Sequence, residues 1–250
     1  EKGKLYIEIS DLNKEILYYP SLAQGVGSND IGLDRGRLSN EHIIKFEKHG
    51  NKLLMIEPNY MYRAISNDAL ERKAVEESFA KSIHFGFEIV ARSENSFLID
   101  ITPFVLQDAI EAAKAIEETK QGSYRVETSR SAIYMPNTKV FPKNTEIEAI
   151  LTLTGSKSGA YLNQVVPTPD FITIHQHFSF IELPDDGFKM REYDPRMGYI
   201  GIEFYDYATP FSEPIVKKYI SRHRLEKKDP TAILSEAKEP IIYYMDPGAP

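Results

Sequence analysis

Two histidines in one strand-like segment have the residue type and spacing best suited to metal chemistry. His175 and His177 lie within residues 171–183, where a period of two places them on one face with Thr173 and Ser179. An H-x-H pair on a strand can present two imidazoles to one zinc ion when a third ligand comes from elsewhere. The sequence identifies no third ligand. The alternative is that both are polar residues on the wetter face of a half-buried strand, each hydrogen-bonded locally.

Other catalytic chemistry is narrowly limited by the residue types. The chain has no cysteine, which excludes thiol nucleophiles, disulfides and cysteine-based zinc sites. The remaining histidines are scattered, and none belongs to the H-E-x-x-H motif of zinc proteases; they are His42, His49, His84 and His223. We therefore expect no catalytic residue, no cofactor and no bound metal in this chain, with His175 and His177 as weak metal candidates.

Charge and hydropathy exclude two classes of function. The 250 residues include 30 basic and 37 acidic side chains, which leaves a net charge of −7. Binding to nucleic acid depends on neutralising phosphates with basic residues, so a nucleic-acid partner is not expected. No apolar run approaches the ~18 residues that a membrane-spanning helix needs. We expect a protein with no nucleic-acid partner and no membrane span.

Strand-like segments dominate the chain and predict an α+β fold, mainly an antiparallel β-sheet with two or so amphipathic helices. Two hairpins are expected, one joining residues 43–47 to 52–57 across His49, Gly50 and Asn51, the other joining 82–91 to 96–101. The other predicted strands are 4–9, 15–19, 146–154, 171–183 and 199–205.

Two helices interrupt the predicted sheet. Asp68 and Glu71 have the spacing of a capping box, which predicts that a helix begins there. Thr102 is the predicted N-cap of a second helix, with Pro103 in its first turn and Gly122 after its end. Apolar residues at helical spacing support this second helix as one continuous element: Leu106, Ala109, Ile110, Ala113 and Ile116.

The C-terminal part differs in character. A charged segment, residues 222–230, precedes residues 240–247, which are typical of a strand that runs into a turn. We therefore divide the chain into a non-catalytic N-terminal domain, residues 1–222, as one body or two lobes, and a linker with a leading strand, residues 223–250. That strand has no obvious partner in the chain and indicates that another domain follows. The start at Glu1, without Met or an apolar leader, predicts a processed or excised piece.

Several long strings of residues occur together in a fixed order. They are 32–36 (GLDRG), 122–125 (GSYR), 141–149 (FPKNTEIEA), 177–187 (HFSFIELPDDG), 194–199 (DPRMGY), 222–230 (RHRLEKKDP) and 240–250 (PIIYYMDPGAP). Over nearly its whole length, the chain resembles the N-terminal uncharacterised domain of a family of large bacterial zinc-dependent metalloproteases with a metzincin-like catalytic domain.

This resemblance implies a zinc peptidase as the parent protein. In that family the H-E-x-x-H helix lies beyond the segment that resembles residues 240–250, so the zinc is implied for the absent catalytic domain and no catalytic residue carries over. The resemblance also implies a periplasmic or cell-surface location. The implied partners are the protein's own C-terminal protease domain and a peptide or protein substrate.

Three roles remain open for this chain. The first is a non-catalytic accessory or pro-like domain that packs on or regulates the protease domain. The second is a peptide- or glycan-binding module that recruits substrate, and the third is an independent metal enzyme that uses His175 and His177. Asp194 is a regulatory candidate because it precedes Pro195 in a predicted turn and could present a carboxylate to the protease metal. The alternative is that Asp194 only caps its own turn.

Overall fold

Fourteen strands, four short α-helices and three 3₁₀ helices of three residues each form the regular structure of residues 3–245, the part of the chain that the computed structural model describes. The helices are α1 (Ala69–Ser78), α2 (Thr102–Val105), α3 (Ala112–Glu118) and α4 (Ala160–Val165). The strands are β1 (Tyr6–Ile9), β2 (Ile16–Gln24), β3 (His42–His49), β4 (Lys52–Glu57), β5 (Tyr62–Arg63), β6 (Ser82–Arg92), β7 (Phe97–Asp100), β8 (Ser123–Val126), β9 (Ala132–Ile133), β10 (Lys139–Val140), β11 (Asn144–Ser156), β12 (Phe171–Glu182), β13 (Gly201–Asp206) and β14 (Val216–Ile220). None of the described helices is long and apolar enough to cross a membrane.

The chain divides into two compact units. Of the described residues, unit 1 contains those up to Asn59 together with Ala80–Pro184, and unit 2 contains Tyr60–Phe79 together with those from Asp185 to Met245. Unit 1 is built on one antiparallel sheet with the strand order β1-β7-β6-β4-β3-β2-β12-β11-β10, and β8 and β9 also pair with β11. In unit 2, β13 lies between β14 and β5. The predicted mainly antiparallel α+β fold is confirmed at this level.

The apolar core of unit 1 lies on one face of its sheet. The strands carry the alternation that a half-buried sheet requires, and β12 shows it most regularly. Ile172, Ile174, Phe178 and Phe180 are buried, whereas His175 and its neighbours on the other face are partly exposed. The face assignment for residues 171–183 is confirmed. Both predicted hairpins also form, as β3–β4 and β6–β7, and Gly50 takes the left-handed conformation that the first turn requires.

The prediction of one continuous second helix is wrong. Residues 106–111 separate α2 from α3, and Thr102 lies in the first turn of α2 rather than at its N-cap. The carboxylate of Asp108 accepts hydrogen bonds from the backbone N–H groups of Ala112 and Ala113, which caps α3. Glu111 adopts a left-handed conformation with φ 54°. Local side-chain bonds therefore outweigh the helical periodicity of the apolar residues.

The break between the two helices also depends on Gln176, which is fully buried in β12. Its Oε1 accepts from the backbone N–H of Ala109 at 2.9 Å, and its Nε2 donates to the carbonyl oxygen of Gln107 at 2.7 Å. Gln176 thus satisfies two backbone groups that a continuous helix would have paired internally.

Replacing Gln176 with alanine should lower the free energy of unfolding by about 2 to 3 kcal/mol, because a fully buried side chain and its two hydrogen bonds to Ala109 and Gln107 would be lost. Urea denaturation followed by circular dichroism measures the change. Gln164→Ala is the matched control, since Gln164 is exposed in α4 and its loss should cost less than about 0.5 kcal/mol. Equal effects of the two substitutions would show that Gln176 does not hold the break.

Unit 2 has a small core. Among its described residues, two apolar side chains are buried, Phe204 and Ile220. The predicted helix at Asp68 is confirmed as α1, because the Asp68 carboxylate accepts from the N–H of Leu70 at 2.8 Å. No residue of α1 is buried, and Phe79 at its end stacks on Tyr62 with ring centroids 3.9 Å apart. Aromatic contacts therefore supplement the small core of this unit.

The predicted strand near the C-terminus does not form in residues 240–245, which have no regular secondary structure. A strand needs a neighbour to pair its backbone groups, and no described strand pairs with this segment. The end of the prediction, residues 246–250, lies outside the described residues. The predicted domain boundary between residues 222 and 223 stays a prediction.

Candidate metal centre and a second histidine–carboxylate cluster

The two histidines of the H-x-H pair face two glutamates on the adjacent strand. The strands β11 and β12 pair so that Glu148 lies opposite His177 and Glu146 lies opposite Ser179. His175 Nδ1 lies 2.7 Å from Glu148 Oε1, and His177 Nε2 lies 2.7 Å from Glu146 Oε2. Each imidazole is therefore hydrogen-bonded to its own carboxylate. This is the local hydrogen bonding of the alternative interpretation, and a metal role for the pair stays a prediction.

Neutral donors also contact both carboxylates of this cluster. Asn137 donates its Nδ2–H to Glu148 Oε2 at 2.7 Å, and Ser179 and Asn144 donate to Glu146. The ring of Tyr134 packs edge-on against His175, with centroids 5.0 Å apart. The carboxylate oxygens that could bind a metal are thus already paired with hydrogen-bond donors.

The surroundings of Glu146 set its ionisation. Burial raises the pKa of this carboxyl, but hydrogen bonds from Ser179, Asn144 and His177 outweigh burial and hold the pKa below its ordinary value of 4.5. A carboxyl whose pKa is lower in the folded state than in the unfolded state stabilises the protein at pH values above its pKa in the unfolded state. That contribution is lost as the pH falls through its pKa in the folded state.

Glu146→Gln should therefore reduce the acid sensitivity of the protein. As the pH is lowered from about 5, the free energy of unfolding of the wild type should fall more steeply than that of Glu146→Gln. Urea denaturation at a series of pH values gives both curves, and Glu88→Gln, at an exposed position of the same sheet, is the control. Parallel curves for wild type and Glu146→Gln would contradict a lowered pKa of Glu146 in the folded protein.

A second cluster brings together His42, Glu57 and His84, whose potential ligand atoms all lie within 4.8 Å of one another. His42 Nδ1 lies 3.0 Å from Glu57 Oε2, and His84 Nε2 lies 2.7 Å from the same oxygen. The two imidazole rings meet at 67° with centroids 4.8 Å apart. All three side chains are partly exposed. Two imidazoles and one carboxylate thus converge on one point that solvent can reach.

Three strands of the sheet bring these ligands together. His42 begins β3 and Glu57 ends β4, so the hairpin places them at the same end. The pairing of β4 with β6 shifts between Met55 and Ile56, because Met55 lies opposite Phe85 whereas Ile56 lies opposite Ile83. His84 is the extra residue of this β-bulge. Bulges re-aim a side chain, and this one directs His84 to Glu57.

Tyr18 forms the apolar support beneath the two histidines. Its ring stacks on His42 with centroids 5.7 Å apart and meets His84 edge-on at 5.9 Å. Burial raises the pKa of the Tyr18 phenol, so this side chain stays neutral at any ordinary pH. Behind Tyr18 lie Phe104 and Phe180, which connect the cluster to the core of unit 1.

Asp194 lies in unit 2, whereas both histidine clusters belong to unit 1. Its carboxylate caps the short 3₁₀ helix Pro195–Met197 by accepting from the N–H of Arg196, and it also pairs with the Arg196 guanidinium. The side-chain hydrogen bond from Arg196 holds the pKa of Asp194 below its ordinary value. The capping interaction is present, and the regulatory role of Asp194 stays a prediction.

Sequence reasoning missed the second cluster because it treated His42 and His84 as scattered. The available signal was the β3–β4 hairpin, which already places His42 near Glu57. The position of His84 depends on the pairing of β4 with β6 and on the bulge, and neither has a sequence signature.

The fold and the clusters define a mostly antiparallel β-sheet protein whose partly buried histidines are paired with glutamates. A family model described as a domain of unknown function, DUF5117, matches residues 36–228, and the chain belongs to this family. No curated protein and no solved structure matches the chain. The description of the family names no peptidase, and the connection to zinc metallopeptidases is therefore a proposal.

Proposed function

We propose that this chain is a non-catalytic accessory or pro-like domain of a bacterial zinc-dependent metallopeptidase in the periplasm or at the cell surface, and that it packs on or regulates the peptidase domain. The ordered sequence strings given above support the peptidase connection. The exposed apolar surface of unit 2 supports the packing, and it is the observation that carries the proposal.

Large apolar side chains of unit 2 lie on its surface, outside its small core. Ile200 and Ile202, before and within the central strand β13, are 81% and 60% exposed. The side chains of residues 241–245 are between 43% and 92% exposed. Fully burying one such side chain contributes about 1.5–3 kcal/mol, so covering a few of them on a partner domain would drive association. The partner in this proposal is the peptidase domain of the same protein.

Binding between the two separately expressed domains tests the proposal. We expect a stable complex in co-purification and calorimetry, and we expect Ile200→Asp with Ile202→Asp to weaken it at least tenfold, which corresponds to ~1.4 kcal/mol. Val140→Asp is the matched control, because Val140 is 78% exposed in the short strand β10 of unit 1. Failure of the wild-type domains to associate, or an equal effect of Val140→Asp, would contradict the proposal.

A peptide-binding module is the second candidate, favoured by a groove in unit 1. The groove has a volume of about 270 Å³ and lies between β1 and the start of β11, and its lining includes the apolar Phe141 and Phe180 and the basic Lys14 and Lys143. In the described sheet β1 pairs on one side with β7 and stands at the end of the strand order. An extended peptide could add to such an edge.

Titration with unfolded polypeptide fragments, followed by NMR, tests this second candidate. Binding should perturb signals of residues 7–11 and 141–145 and should weaken in Phe141→Ala. Phe171→Ala is the control, because Phe171 is similarly exposed and lies outside the groove. Perturbations confined to other surfaces, or equal weakening by both substitutions, would reject the groove as the binding site.

A further inference from the structure

We propose that His42, Glu57 and His84 form a binding site for a divalent transition metal, with Zn²⁺ as the preferred ion. The inference goes beyond the accessory role and does not depend on it. It replaces the expectation from sequence that the chain holds no metal.

The distances fit a zinc ion with small side-chain movements. Zinc binds histidine nitrogen at ~2.0–2.1 Å and carboxylate oxygen at ~2.0–2.2 Å in tetrahedral geometry, so neighbouring ligand atoms should be about 3.4 Å apart. The two nitrogen–oxygen distances are 3.0 and 2.7 Å, slightly shorter than that value. The three ligand atoms are all within 4.8 Å of one another, so small side-chain rotations would suffice to arrange them around one ion.

The donor set also fits zinc by type. Two neutral imidazoles with one carboxylate form a ligand set that zinc uses when it keeps a fourth position for water. The partial exposure of all three side chains leaves room for that water and a path for the ion. Calcium and magnesium prefer sites made wholly of oxygen, so the imidazoles favour a transition metal over either.

The cluster at His175 and His177 provides an internal comparison. There the carboxylates bond to separate imidazoles and also accept from Asn137, Ser179 and Asn144. At the proposed site both imidazoles are directed at a single oxygen of Glu57. A zinc ion bound there would replace the hydrogen atoms that these bonds share and would connect β3, β4 and β6.

Metal binding by the untagged chain is the test. After removal of metals with a chelator, the wild type should take up one Zn²⁺ per chain by elemental analysis, and Zn²⁺ should raise its midpoint of thermal unfolding. Removing a residue that only hydrogen-bonds to a metal ligand typically weakens metal binding by roughly 10- to 100-fold. Glu57→Gln and His84→Gln remove a ligand itself, so each should weaken the affinity measured by calorimetry by more than that. His175→Gln and His177→Gln should bind as the wild type does.

Two measurements on the wild type keep the test decisive if a variant does not fold. Co²⁺ should give the visible absorption of a tetrahedral site, and Zn²⁺ should shift the imidazole NMR signals of His42 and His84 but not those of His175 and His177. No uptake of Zn²⁺ by the wild type would overturn the proposal. Affinity unchanged in folded Glu57→Gln, or shifts confined to His175 and His177, would overturn it equally.

Discussion

Replacing Glu148 with alanine is expected to lower the free energy of unfolding by about 3 kcal/mol. The side chain of Glu148 is 4% exposed and accepts from His175 Nδ1 and Asn137 Nδ2, each at 2.7 Å. Its removal deletes two hydrogen bonds to a buried carboxylate, and hydrogen bonds to charged groups contribute about 1.5–3 kcal/mol each. Urea denaturation measures the loss.

Two further variants distinguish the loss of the Glu148 hydrogen bonds from a general disturbance of the sheet. Glu148→Gln keeps one acceptor oxygen and should lose clearly less stability than Glu148→Ala. Glu88→Ala removes a carboxylate that is 65% exposed and lies 3.2 Å from Lys52, and it should cost less than about 1 kcal/mol. A Glu148→Ala loss as small as that of Glu88→Ala would show that the hydrogen bonds of this cluster contribute little to folding.

Replacing Phe178 with alanine should cost about 3 to 5 kcal/mol, the range for removing a buried aromatic ring from a core. Phe178 is fully buried in β12, with its ring centroid 6.5 Å from that of Tyr18 and 5.8 Å from that of Phe104. The cavity would lie directly behind Tyr18, the residue that supports His42 and His84. Chemical denaturation followed by tyrosine fluorescence gives the stability change.

Phe171→Ala on the same strand is the matched control for this prediction. Phe171 is 45% exposed and packs against the Arg130 guanidinium, so its loss should cost less than about 1.5 kcal/mol. If Phe178→Ala does not fold, Phe178→Leu retains more of the core volume and should give a measurable, smaller loss. Equal losses at positions 171 and 178 would contradict the burial pattern of β12.

Local sequence signals predicted the features of this fold that depend on near neighbours. Gly50 and Asn51 between alternating segments gave the β3–β4 hairpin, and the alternation around His175 gave the two faces of β12. The Asp68 cap gave the start of α1. Each of these depends on contacts a few residues apart, for which spacing and residue type are sufficient.

Contacts between residues far apart in the sequence account for what the sequence did not predict. The break between α2 and α3 depends on Gln176, which lies 67 residues beyond Ala109 in the sequence. The pairing of β2 with β12 and that of β1 with β7 join distant segments. The His42, Glu57 and His84 cluster needs the β-bulge in β6 as well as a hairpin. Spacing along the chain predicts the hairpin but neither the bulge nor the pairing of distant segments.

The C-terminal strand is a feature that the sequence predicted and the structure lacks in residues 240–245. Residues 240–245 have the composition of a strand, but composition supplies no partner, and the segment remains irregular in the structure. Under the proposed function these apolar side chains contact the peptidase domain.

Oxidative footprinting of methionine side chains, with and without the peptidase domain, tests the accessory role most directly. Met190, Met197 and Met245 of unit 2 are all exposed, and Met135 of unit 1 is 60% exposed and serves as the internal control. If unit 2 packs on the peptidase domain, oxidation of one or more of the three methionines should slow by at least several-fold in the complex, while that of Met135 stays unchanged. Unchanged oxidation of all three in a mixture at saturating concentrations, or protection of Met135 alone, would contradict the account.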